Sequence, residues 1–63
     1  MTEKTYHTRR AELLDEYMRM KRLRLYRSAA ARARKIADLD FAYDGTPRNK
    51  TLNIFEHDKL MRT

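Results

Sequence analysis

A long stretch without helix-breaking residues is the feature that most constrains the fold of this chain. The 63-residue sequence has one glycine, Gly45, and one proline, Pro47, so neither residue type occurs earlier in the chain. Strong helix formers dominate the stretch after Thr8, which is a suitable N-cap and is followed by acidic residues that favour the helix dipole. We therefore predict one helix over residues 9–38, about 45 Å long at a rise of roughly 1.5 Å per residue.

The two flanking segments are predicted to be less regular. Residues 1–8 form a polar N-terminal lead. Residues 39–63 contain both helix breakers and an alternating apolar pair, Leu52 and Ile54, which favours an extended arm that ends in a short C-terminal helix. The predicted fold class is mainly α, with one long basic amphipathic helix, an extended C-terminal arm and no independent globular core.

The composition is the reason for predicting no core. Hydrophobic residues make up 41% of the chain, but there is no valine or tryptophan, and the only isoleucines are Ile36 and Ile54. Such a chain buries too little apolar surface to offset an ordering entropy of about 1.5 kcal/mol per residue. We expect a partner to order it.

Positive charge is concentrated in the predicted helix. The formal net charge of the chain is +6 at pH 7, and residues 17–37 include no acid. A solvated helix usually carries both signs, so this run indicates a surface that acidic side chains or phosphates neutralise. The bases predicted to make these contacts are Arg19, Arg22, Arg24, Arg27, Arg32, Arg34 and Lys35.

An apolar stripe along the same helix indicates a packing face, because its members recur at spacings of four and seven residues. A second strip consists of small residues behind Tyr26 and allows another helix to approach closely. The predicted partner-packing residues are Leu14, Met18, Leu25 and Ile36 in the helix and Ile54 and Phe55 in the arm.

The tripeptide LYR at positions 25–27, followed by small and basic residues, resembles the signature of the LYR-motif proteins. Arg32, Arg34 and Lys35 match the basic residues of that signature, and Phe41 matches its downstream aromatic residue. The family comprises small, basic, helical mitochondrial proteins that serve as accessory subunits of respiratory complexes or as assembly factors and bind acyl carrier protein. Its tripeptide lies in the first helix of a three-helix bundle, and two of those helices have no counterpart in the single helix predicted here. The resemblance implies a mitochondrial location.

We predict no catalytic residue, no metal site and no cofactor. The chain has no cysteine, which excludes disulfides, zinc ribbons and thiol nucleophiles. His7 and His57 lie in opposite terminal segments without a second metal ligand at a useful spacing. Asp38, Asp40 and Asp44 lack the glycine and the terminal glutamate of a calcium-binding loop. We expect that the protein is not an enzyme.

The sequence favours a non-catalytic accessory or structural subunit that docks by protein–protein interaction into a multi-subunit complex, most of all a mitochondrial respiratory-chain or ATP synthase complex. The alternative is a small ribosomal or other ribonucleoprotein subunit whose arginines bind RNA phosphates. Contact with a membrane surface is a third reading, but no apolar run has the length of a transmembrane segment. The N-terminus lacks the apolar core of a secretory signal. If the protein is not mitochondrial, we therefore expect it to be intracellular and not secreted. The leading methionine argues against a removed presequence.

Overall fold

The chain folds into three helices, which a computed structural model describes over residues 1–61, with side chains as far as Glu56. The helices are α1 (Glu3–Arg22), α2 (Tyr26–Asp44) and α3 (Arg48–Met61). Helix α2 packs against both α1 and α3, and the turns between successive helices are short.

This bundle shows that the predicted fold class is wrong. One long helix over 9–38 would be about 45 Å long, whereas the longest dimension of the molecule is 36 Å. The Cα radius of gyration is 11.7 Å, close to the roughly 11 Å expected for a compact chain of this length. The predicted extended arm over 39–63 is instead the end of α2, a turn and α3, except for residues 62 and 63, which lie outside the described residues.

Helix α1 begins earlier than predicted. Thr2 is its N-cap, and the side-chain oxygen of Thr2 accepts a hydrogen bond of 3.1 Å from the N–H of Thr5. Glu3 adds negative charge in the first turn, which favours the helix dipole. Thr8, the predicted N-cap, therefore lies inside the helix. The earlier start brings Tyr6 into α1, where its side chain is buried.

Helix α1 ends at Arg22 although no glycine or proline is near. Arg24 has a φ of 62°, and the left-handed conformation costs an ordinary residue about 1–2 kcal/mol. The N–H of Leu25 donates to the carbonyl of Met20 at 2.8 Å, and the N–H of Arg24 donates to that of Lys21 at 3.0 Å. These are the two hydrogen bonds of a Schellman cap, which ends the helix.

Packing of α2 against α1 offsets the cost of this turn. The side chain of Ile36 is fully buried, and burial of one isoleucine contributes about 1.5–3 kcal/mol. A cluster of Tyr17, Ala29 and Ala33 forms a further part of the core. The partly buried side chains that pack against this cluster are Leu14, Met20, Leu52 and Phe55. Tertiary packing therefore outweighs the local preference for one continuous helix.

The second turn lies where the sequence places a helix break. Gly45 has a φ of 79°, and its N–H donates to the carbonyl of Phe41 at 2.9 Å. The carboxylate of Asp44 accepts hydrogen bonds from the hydroxyl and the N–H of Thr46, and these bonds lower the pKa of Asp44. Pro47 then directly precedes α3, so the chain leaves α2 and enters the next helix within three residues.

The buried carboxylate of Asp40 connects all three helices. Its Oδ1 accepts hydrogen bonds from the hydroxyl of Tyr6 at 2.6 Å and from Nε of Arg10 at 3.0 Å. Its Oδ2 accepts from Nη2 of Arg10 at 3.3 Å and from the hydroxyl of Thr51 at 2.9 Å. The ring of Tyr6 also stacks on Tyr43 with 3.9 Å between the centroids. We call Tyr6, Arg10, Asp40 and Thr51 the Asp40 network.

The Asp40 network determines the protonation of its members. Burial by itself would raise the pKa of Asp40, but hydrogen bonds from Arg10, Tyr6 and Thr51 outweigh it, so the pKa is lowered. Burial and the hydrogen bond to Asp40 raise the pKa of Tyr6. At neutral pH the carboxylate is therefore charged while the phenol keeps the proton that it donates.

Replacing Arg24 with glycine is expected to stabilise the protein, because glycine adopts a positive φ without a Cβ penalty. The free energy of unfolding should rise by about 1 kcal/mol, which raises the Tm by about 4–8 °C in a domain of this size. Arg34→Gly is the matched control, since this exposed residue lies in the middle of α2, and it should lower the stability by about 1 kcal/mol. Thermal unfolding followed by circular dichroism compares the two. Similar destabilisation by both variants would contradict a left-handed turn at Arg24.

Replacing Asp40 with asparagine is expected to destabilise the protein by about 2 kcal/mol at neutral pH, because the hydrogen bonds to a charged carboxylate are lost. Asp38→Asn is the control, since Asp38 is exposed and pairs with Arg48 at 2.6 Å, and it should cost less than about 1 kcal/mol. Urea unfolding measures both differences.

The difference between wild type and Asp40→Asn should also depend on pH. Since folding lowers the pKa of Asp40, its stabilisation is complete above about pH 5 and is lost as the pH falls through the folded-state pKa. The advantage of the wild type over Asp40→Asn should therefore shrink below about pH 4. A difference that stayed constant down to pH values of about 2 would contradict a role for the carboxylate charge.

Candidate functional site

Large apolar side chains remain exposed at the end of the bundle that contains the α1–α2 turn. Five of them have exposed fractions between 49% and 63%. Single exposed apolar residues are normal, but a group of them together marks an interaction site. We call this group the docking end, and its members are Met18, Leu23, Leu25, Tyr26 and Ile54.

A groove of about 450 Å³ runs between α1 and α3 at the docking end. We call it the α1–α3 groove. Met18 and Ile54 lie on its two sides as its most exposed apolar side chains. The residues that line it are Leu14, Tyr17, Met18, Lys21, Arg22, Ile54 and Phe55. The described lining is thus apolar with two bases and no acid.

A second groove of about 620 Å³ lies between α2 and α3, and we call it the α2–α3 groove. Its floor on α2 consists of the small residues Ala29, Ala30 and Ala33. Arg34 and Glu56 both belong to its lining, so its charged groups have mixed signs.

The rings of Tyr17 and Phe55 separate the two grooves. They meet edge to face with 4.6 Å between the centroids, and both residues line both grooves. The ammonium group of Lys21 lies 5.3 Å from the centre of the Tyr17 ring, a distance that allows a cation–π contact. Side chains of the fold therefore form the walls of the grooves, and the docking end is shaped before any partner binds.

Two of the bases that were predicted to contact a partner instead pair with acids of this chain. Nε of Arg32 donates to Oε1 of Glu16 at 2.7 Å, which links α2 to α1, and this hydrogen bond lowers the pKa of Glu16. Nη2 of Arg19 lies 3.3 Å from Oδ2 of Asp15 within α1. The acid-free run is therefore neutralised in part by the chain itself, through one pair that the hairpin brings together and one pair within α1.

The other predicted bases remain at the surface. Arg22, Arg24, Arg27 and Arg34 are exposed, and none forms an ion pair with the residues whose side chains the structure describes. Lys35 is also exposed and lies close enough to Glu16 to help lower its pKa. Exposed bases that form no ion pair with a described acid give the surface around the docking end a positive potential.

The predicted partner-packing residues occupy three different environments. Met18, Leu25 and Ile54 are exposed and belong to the docking end. Leu14 and Phe55 are partly buried and pack against the core cluster. Ile36 is fully buried, so in this fold it stabilises the bundle and is not available to a partner.

The sequence pattern did not predict the Asp40 network. Its three aspartates, which were compared with a calcium-binding loop, have other contacts. Asp38 contacts Arg48, Asp40 accepts from Arg10 within the network, and Asp44 contacts Thr46. No group of three or more residues suited to hold a metal ion occurs among the described residues. No described helix is long and apolar enough to cross a membrane. The side chain of His57 lies outside the described residues.

The two isoleucines provide a matched test of these placements. Ile36→Ala should lower the free energy of unfolding by about 3 kcal/mol because it leaves a cavity in the core. Ile54→Ala should change it by no more than about 0.5 kcal/mol, because 60% of this residue is exposed. If Ile36→Ala does not fold, Ile36→Val should still show a loss of about 1 kcal/mol. Urea unfolding measures all three variants, and a larger effect at Ile54 would contradict the packing of α3.

Comparison with known protein families, curated proteins and solved structures finds no match for this chain. The similarity of the tripeptide at positions 25–27 to the LYR-motif signature therefore remains a resemblance. The described part of the chain has three helices, as that family has, but the tripeptide covers the α1–α2 turn and the start of α2 and does not lie in the first helix.

Proposed function

We propose that the protein is a non-catalytic accessory subunit that docks into a large multi-subunit assembly through its docking end. The observation that carries this proposal is the separation of the molecule into two ends. The Asp40 network closes one end with internal hydrogen bonds. The other end presents exposed apolar side chains, two grooves and arginines that form no ion pair with a described acid.

The residues that line the grooves are better suited to binding a partner than to catalysis. Apolar side chains with a few bases provide burial and orientation, which are the properties of a docking surface. Exposed ion pairs contribute at most about 1 kcal/mol each. The apolar residues therefore supply most of the affinity, while the arginines steer and orient an acidic partner.

The assembly that the sequence favours is a mitochondrial respiratory-chain or ATP synthase complex. This part of the proposal, including the mitochondrial location, depends on the resemblance of the tripeptide at positions 25–27 to the LYR-motif signature. Tyr26 is exposed at the start of α2, and Arg27 follows it at the surface. Both are thus accessible to another subunit.

A ribonucleoprotein subunit is the second candidate, and one observation favours it. Arg24, Arg27 and Arg34 are exposed without an acidic partner among the described side chains. Arginines of this kind bind RNA phosphates and release counterions. The exposed apolar groups of the docking end are the reason for ranking a protein partner first.

Sedimentation of a gently prepared cell extract tests the two candidates. The tagged full-length chain should migrate with large complexes, remain there after nuclease treatment, and remain largely bound as the salt is raised from about 50 to 500 mM, because apolar contacts are not screened. Tagged Asp38→Asn serves as the folded control. Release by nuclease, or a steep loss with salt, would favour the ribonucleoprotein, and migration as a free monomer would contradict both candidates.

A further inference from the structure

We infer that the α1–α3 groove binds one amphipathic α-helix of a partner protein that carries acidic residues beside its apolar stripe. This inference depends on the proposed docking function and names the partner's chemistry. The occupant is defined by two properties of the groove, its shape and its charge.

The shape of the groove fits apolar side chains from a helix. Two helices form its sides, and Tyr17 and Phe55 separate it from the other groove. Met18 on α1 and Ile54 on α3 both line it, with more than half of each residue exposed. In helix-in-groove recognition, apolar residues at positions i, i+3 or i+4, and i+7 enter such a groove from one side. Met18 and Ile54 are then the residues that gain most burial.

The positive charge of the groove favours a partner helix that carries acidic residues. Lys21 and Arg22 are its only charged lining residues among those that the structure describes, and both are bases. Arg22 is exposed and forms no ion pair with a described acid. The α2–α3 groove differs because Glu56 is in its lining and disfavours acidic groups. The α1–α3 groove is therefore the one that complements an acidic helix.

Other occupants fit these observations less well. RNA bases stack on open aromatic faces, but Tyr17 is buried and Phe55 meets it edge to face. A membrane surface is too flat to enter a groove between two helices. A second copy of this chain would bring two basic rims together, and each chain has a net charge of +6.

A synthetic peptide of about 18 residues, long enough to form a helix on binding, is the probe. It carries leucines at helical spacing with glutamates beside them and a fluorescein label. A second peptide has lysine in place of every glutamate. Fluorescence anisotropy with the full-length chain should show binding of the glutamate peptide and at least tenfold weaker binding of the lysine peptide, as complementary charge requires.

Variants of the chain locate the peptide. Met18→Ala and Ile54→Ala should each weaken binding of the glutamate peptide by about tenfold. Phe41→Ala is the matched control, because Phe41 is also an exposed large apolar residue but lines neither groove, and it should change binding less than about twofold. Arg22→Gln should weaken binding about threefold and reduce its salt dependence. Circular dichroism of each variant should match the wild type.

Several results would overturn the inference. They are failure of the glutamate peptide to bind, equal binding of both peptides, and an equal loss with Phe41→Ala. Tighter binding of a uridine oligonucleotide of about 20 nucleotides, or of phosphatidylglycerol vesicles, would replace the helix with another partner. A dimer in sedimentation equilibrium that Ile54→Ala disrupts would replace it with a second copy.

The sedimentation experiment separates this inference from the proposed function. If the wild type and the doubly substituted Met18→Ala, Ile54→Ala chain both migrate with the large complex, the docking function stands and the groove assignment fails. If the wild type itself migrates as a monomer, the proposed function fails. If the wild type migrates with the complex and the double variant does not, the result supports both the docking function and the groove assignment.

Discussion

The rest of this structure depends on one buried carboxylate. Asp40 accepts hydrogen bonds from Tyr6 and Arg10 on α1 and from Thr51 on α3, so a single side chain of α2 connects all three helices. A chain this small with few branched aliphatic residues has little apolar volume with which to define how its helices align. A shift of α1 by one residue would remove Tyr6 and Arg10 from the buried carboxylate and leave the hydroxyl of Tyr6 without its acceptor, and each buried group left unpaired costs about 1–3 kcal/mol. The network therefore specifies the alignment more than it adds stability.

Because the Asp40 network aligns the helices at one end of the bundle, the docking end at the other can remain incompletely packed. Helix α2 contributes alanines to the core where α1 and α3 contribute Tyr17 and Phe55, so large side chains fill the space that small ones leave. The core does not extend to Met18 and Ile54, which remain exposed beside the groove. Tyr17 and Phe55 therefore belong both to the core and to the wall of the groove, whereas Met18 and Ile54 do not belong to the core. These two exposed residues can change without loss of the bundle.

The sequence was sufficient to predict helix over most of α1 and α2 and the break at Gly45, since both depend on local preferences, but it did not predict α3, which occupies much of the arm predicted to be extended. It was not sufficient to predict the turn at Arg24, because an arginine with positive φ contradicts its local preference and is stabilised only by contacts with distant residues. Because the turn at Arg24 was not predicted, residues that contact one another within the bundle were assigned to an external partner. Ile36 was assigned to a partner but is buried, and Arg32 was assigned to an external acid but pairs with Glu16. One signal was present: an antiparallel hairpin can place Glu16 beside Arg32, and a single straight helix cannot.

The same turn also gives the docking end its electrostatic character. Helix α2 begins there without a side-chain cap and without an acid in its first turn, although the N-terminus of a helix favours negative charge. Arg24 and Arg27 place positive charge beside it instead. This arrangement is unfavourable in the isolated chain, and the acidic partner proposed above would relieve it by supplying the missing negative charge. Such a partner would bind the folded bundle more tightly than the unfolded chain, because only the folded chain concentrates these groups. Its binding would therefore also stabilise the left-handed turn that brings α1 and α2 together.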